Sequence, residues 1–75
     1  MCRSMSEETE WASRLGQTVR SNRKSIGYSQ EALADLCGVD VRYLGGIERG
    51  QENPSLKVIV ALASALRVPP SDLLK

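Results

Sequence analysis

Apolar residues recur at helical spacing along most of this chain, and no stretch alternates apolar with polar positions as a strand would. Trp11, Leu15 and Val19 stand at i, i+4 and i+8, with Ser6 or Thr9 as the N-cap before them. The pattern fades near Ser25, and Gly27 stops it. Ser29 then caps a second helix whose core face is Ala32, Leu33, Leu36 and Cys37, with Gly38 just past its end. Asp40 caps a third helix, with Leu44 and Ile47 inward and Gly50 ending it. Ser55 caps a fourth, carrying Leu56, Ile59, Val60, Ala63 and Leu66; the Val68-Pro69-Pro70 run breaks it, and residues 71–75 form at most a short fifth helix. The second and third helices, joined by a short Gly-led turn, make a helix-turn-helix unit. The expected fold is all-α, a compact five-helix single domain over residues 1–75, with residues 1–8 frayed.

Composition narrows the function. A core of 75 residues supplies only a few kcal/mol of net stability, so a stabilising partner is expected. Two cysteines, Cys2 in the terminal segment and Cys37 in an apolar run, do not make a disulfide framework and fit a reducing cytoplasm. With no histidine, a Cys/His metal site is excluded, and no cofactor or metal is expected. No run approaches the roughly 20 apolar residues that span a bilayer, and the N-terminus lacks the apolar core of a signal peptide, so no membrane partner is expected. No catalytic residues are expected either, since Ser and Cys lack a base partner and there is no Gly-rich phosphate loop.

The net charge of +1 is unevenly placed. Residues 1–10 set Arg3 against Glu7, Glu8 and Glu10, whereas residues 11–49 carry six basic residues against four acidic ones. A mildly positive middle is compatible with nucleic acid.

Several local motifs stand in one order: Arg23 through Ser29-Gln30-Glu31 to Leu33-Ala34, then Gly38-Val39, Ile47-Glu48-Arg49-Gly50, Asn53-Pro54-Ser55-Leu56, and a closing apolar segment. In that order and spacing, residues 12–74 resemble the lambda-repressor-like, or XRE-type, helix-turn-helix DNA-binding family. The Tyr43-Leu44-Gly45-Gly46 run and the chain length resemble, within it, the controller proteins of restriction-modification systems. The resemblance implies a homodimeric transcriptional regulator on a pseudo-palindromic operator in double-stranded DNA. It also implies activation of an endonuclease gene, autoregulation, and RNA polymerase among the partners. Two other roles on the same fold are an antitoxin-type protein-binding module and a phage-like repressor.

Within the resemblance the third helix enters the major groove N-terminus first. Stepping about 100° per residue from Leu44 puts Ile47 and Glu48 near the core side and Arg42, Gly45, Gly46 and Arg49 opposite. The adjacent glycines, poor helix formers, are then explained by close approach to DNA. Positions matching Val41, Arg42 and Gly46 reach base edges in the family. Only Arg42 has a side chain suited to guanine O6 and N7, while Val41 suits a thymine methyl. Tyr43 lies to one side, toward a base, a phosphate or the second helix. Gln30, at the start of the second helix, suits a phosphate and in the family also braces the third. Arg49, Gln51 and Lys57 are further phosphate candidates; Asn53 either joins them or serves only its Pro54 turn. The family pairs Arg23 with Glu48 in a structural salt bridge. Ile59, Leu62, Leu66, Val68 and Leu73 are the expected dimer interface.

Overall fold

A computed structural model describes residues 2–75, with side chains from residue 7 onward. Five helices follow one another: α1 Cys2–Ile26, α2 Gln30–Cys37, α3 Val41–Glu48, α4 Leu56–Leu66 and α5 Pro70–Leu73. Among the described residues there is no strand.

Capping chemistry explains most of the boundaries. The Ser29 hydroxyl accepts from the Ala32 amide at 3.0 Å, and the Ser55 hydroxyl from the Val58 amide at 3.3 Å. Gly38 closes α2 at φ 72°, a left-handed conformation that glycine adopts without strain. The α4 terminus is different. Arg67, not the proline pair, closes it at φ 62°, so a side chain is carried in a region that favours glycine.

Leu15 and Val19 from α1, Leu33 and Ala34 from α2, and Leu44 and Ile47 from α3 meet Ile59, Leu62, Ala63 and Leu66 from α4 and Leu73 from α5 in one core. The helix α4 packs on α1, α2 and α5. Its apolar stripe is therefore consumed by its own chain. This corrects the expected dimer interface: Leu62, Leu66 and Leu73 are no more than 2% exposed and Ile59 is 8% exposed, so none has surface to offer a second copy. Val68 is half-buried against the same core.

Other expectations shift with it. Helix α1 starts at Cys2 rather than at Ser6 or Thr9, and residues 2–8, expected to be frayed, have helical backbone. They contain neither glycine nor proline. Met1 lies outside the described residues. At about 1.5 Å per residue, the 25 residues of α1 account for the 38 Å long axis of the molecule. Trp11 lies a turn before the core begins and stays exposed, with the Arg14 guanidinium 4.8 Å above its ring. The core face of α2 is Leu33 and Ala34 with half-buried Cys37; Ala32 and Leu36 point to solvent.

The seam between α1 and α3 is unusually close. A methyl group on Gly16 would collide with the carbonyl oxygens of Ile47 and Glu48. One on Gly50 would stand 2.9 Å from the Ser13 Cα. Backbone thus lies against backbone, and the last turn of α3 is fixed relative to α1.

Candidate nucleic-acid interface

The site is built around α3. Leu44 and Ile47 fasten the helix to the core, and Glu48 closes its buried face. Arg23, from the last turn of α1, is 9% exposed and Glu48 likewise. Arg23 Nε donates to Glu48 Oε2 at 2.7 Å and its Nη2 to Oε1 at 3.1 Å, a bidentate fork. The remaining Nη1 donates to the Tyr28 carbonyl at 2.9 Å, where the chain turns from α1 into α2. Gln30 Nε2 donates to Glu48 Oε1 at 3.0 Å. One carboxylate therefore ties together α1, the start of α2 and the end of α3.

Burial alone would raise the Glu48 carboxyl. The hydrogen bonds from Arg23 and Gln30, with the positive charges of Arg23 and Arg20, outweigh it and hold the group below its ordinary value. Arg20 was not among the sequence candidates. It lines the open cleft between α1, α2 and α3 together with Gln30 and Arg49. The signal for it was present: Arg20 stands three residues before Arg23, on the same side of a helix.

At the other end of α3, Asp40 caps the helix by accepting from the Arg42 amide at 2.7 Å. The Arg42 side chain is 89% exposed. Val41 and Tyr43 are half-buried and pack on the edge of the core. These three lie together at the advancing end of the helix. Gly46 does not join them. It is buried beneath Glu52, whose Cγ would stand 2.8 Å from an added methyl. The reason is the chain reversal after α3, where the Gln51 amide donates to the Gly46 carbonyl at 2.8 Å and carries Glu52 back over the helix. Gly45 is covered too, by the Arg49 guanidinium, with Nη1 3.1 Å from the position of a methyl. The expectation that both glycines face DNA is therefore corrected for Gly46, which the following loop covers; Gly45 lies only under the movable end of exposed Arg49.

The phosphate candidates are divided. Arg49, Gln51 and Lys57 are exposed, and Arg49 Nε donates to Gln51 Oε1 at 3.1 Å. Gln30 is half-buried and turned to Glu48. Asn53 donates to Glu8 Oε2 at 2.6 Å, which binds the loop after α3 to the second turn of α1 and sets a carboxylate where a phosphate was expected. Burial raises the Cys37 thiol, keeping it protonated within the core edge. No helix among the described residues is long and apolar enough to cross a membrane.

Comparison with known proteins accords with this geometry. A helix-turn-helix family model matches residues 19–73. The control protein C.SmaI of Serratia marcescens is 38% identical over 60 residues, which is 80% of this chain and 71% of that protein. An uncharacterized HTH-type transcriptional regulator of Bacillus subtilis, YazB, is 40% identical over 58 residues, 77% of this chain and 84% of its own. Among solved structures, the restriction-modification controller protein C.AhdI from Aeromonas hydrophila superposes with a TM-score of 0.80 at 48% identity, covering 83% of this chain and 94% of that one.

Proposed function

This chain belongs to the helix-turn-helix family of DNA-binding transcriptional regulators, and from that premise we propose that it works as a restriction-modification controller. It is a regulator rather than an enzyme, as its relatives are. The likeness to a controller protein over nearly that protein's whole length carries the narrower reading. In this reading the protein binds its operator as a homodimer, activates an endonuclease gene in contact with RNA polymerase, and represses its own promoter at higher concentration.

The geometry supports a division of labour at the DNA. The clamped end of α3 supplies a fixed rod, and its free end presents Arg42, with Val41 and Tyr43 beside it, to the major groove. Arg42 reads a guanine, and Val41 meets an apolar base edge. Arg20, Arg49 and Lys57 contact phosphates and set the salt dependence of binding. The dimer would bury the apolar residues that the core leaves outside: Leu56, 67% exposed, and Val60, 46% exposed, one turn apart on α4. A two-fold axis would set two recognition helices about 34 Å apart, one groove repeat.

Binding to the DNA upstream of the protein's own reading frame, read by mobility shift and footprinting, tests the proposal. Protection of two half-sites one helical turn apart is expected, with sedimentation giving twice the chain mass. Leu56→Glu should reduce that mass to one chain. A single-chain mass in the wild type at high concentration would refute the dimer, and no protected site would refute the operator.

A further inference from the structure

Asp40 does two things at once. Its Oδ1 accepts from the Arg42 amide, which caps α3, and also from Arg42 Nε at 3.3 Å. Its Oδ2 accepts from Arg42 Nη2 at 3.4 Å. The carboxylate therefore grips the guanidinium along its Nε–Nη2 edge. Among the described residues no second side chain hydrogen-bonds Arg42, and the guanidinium otherwise stands in solvent.

An arginine guanidinium has two flat edges for a bidentate acceptor. The Nε–Nη2 edge is taken by Asp40, so the Nη1–Nη2 edge is left open to solvent. That free edge is the one that matches guanine O6 and N7 end-on. A free arginine at this position would spread over many rotamers, and ordering it on DNA would cost a large part of its side-chain entropy.

We infer that Asp40 is a positioning residue for base readout: it aims the free edge of Arg42 at one guanine, and so sharpens specificity beyond its role as a helix cap. This rests on Arg42 reading a base, as proposed above. The cap and the aim are chemically separable. Asparagine caps a helix as well as aspartate does, but it has one acceptor oxygen and no charge, so it cannot hold both nitrogens of the fork. The hydrogen bond from Arg42 also holds the Asp40 carboxyl below its ordinary value, so the carboxylate is charged at neutral pH.

The test is selection from a randomised duplex library by the wild type, Arg42→Ala and Asp40→Asn, with Asp40→Ser as a second variant that keeps a capping oxygen. The wild type should enrich a guanine in each half-site that Arg42→Ala does not. Asp40→Asn and Asp40→Ser should keep the wild-type melting temperature, since each retains a capping oxygen. At that one base pair, their preference for guanine should fall about fivefold, roughly half of the ordering entropy of an arginine side chain. In the Arg42→Ala background the Asp40→Asn change should add nothing. Unchanged guanine preference in both Asp40 variants overturns the inference while leaving Arg42 as the reader. A sharper preference overturns it as well, since Asp40 would then be competing with the base. If Arg42→Ala still selects the same guanine, the reading of Arg42 fails and the positioning role falls with it.

Discussion

The helix α3 carries an arginine–carboxylate pair at each end, and the two pairs differ in almost everything else. At the C-terminal end, Arg23 and Glu48 are 10% and 3% exposed in their side chains and 2.7 Å apart. They join residues 25 apart in sequence, and Gln30 completes the carboxylate. At the N-terminal end, Arg42 and Asp40 are 89% and 54% exposed, 3.3 Å apart and two residues apart. An ion pair shut away from water is costly to break, because the surviving charge is left unpaired in a poor solvent. An exposed pair is solvated whether made or broken, so it contributes little to the fold. One pair fixes where the helix lies, and the other leaves its tip available for a duplex.

The sharpest break in that comparison is Arg23→Ala. It strands Glu48 and opens the α1–α3 joint, and should cost about 3 kcal/mol. In a domain of this size that lowers the melting midpoint by about 15 °C, measurable by circular dichroism. Next comes Gly16→Ala. Its methyl meets backbone carbonyls that no rotamer can move, and it should destabilise by about 2 kcal/mol in a denaturant titration. Gly45→Ala has the opposite sign. The atom nearest its methyl is the end of the flexible Arg49 side chain, so helix propensity prevails and up to about 1 kcal/mol is gained. Smallest for stability is Arg42→Ala, which should leave the midpoint unchanged.

Acid separates the same two ends. The folded Glu48 carboxyl lies below its unfolded value, so its contribution is complete above about pH 4.5 and is lost as the pH falls through the lower folded value. In Glu48→Gln the acid limb of the stability curve should flatten over that window. In Asp40→Asn it should flatten less: the hydrogen bonds from Arg42 hold that carboxyl low too, but the pair is exposed and solvent screens it.

These features were unequally legible in the sequence. The caps Ser29, Asp40 and Ser55 and the closing Gly38 are local chemistry, and each set a helix boundary that the structure repeats. The start of α1 is not local in that sense, since residues 2–8 carry no stop signal to read. Apolar spacing marked the α4 stripe correctly as helical, yet could not say which neighbour would cover it. Ile59, Leu62 and Leu66 turned inward, and Leu56 and Val60 were left outside. The helical angle of Gly45 and Gly46 placed them away from Leu44. It could not foresee that the chain after α3 would fold Glu52 back over that flank. Gly16 was invisible for the same reason: a lone glycine inside a helix has no meaning until α3 is laid against it. Asn53 was legible as a turn residue, but its bond to Glu8 spans 45 positions.

Fluorescence anisotropy of wild type and Arg42→Ala on the operator and on a shuffled duplex, at one salt concentration, addresses the account most directly. On the proposed readout by the tip of α3, the variant should bind the two duplexes with nearly equal affinity while its melting midpoint matches the wild type. A variant that still prefers the operator by the wild-type ratio would contradict the assignment of readout to that end of the helix.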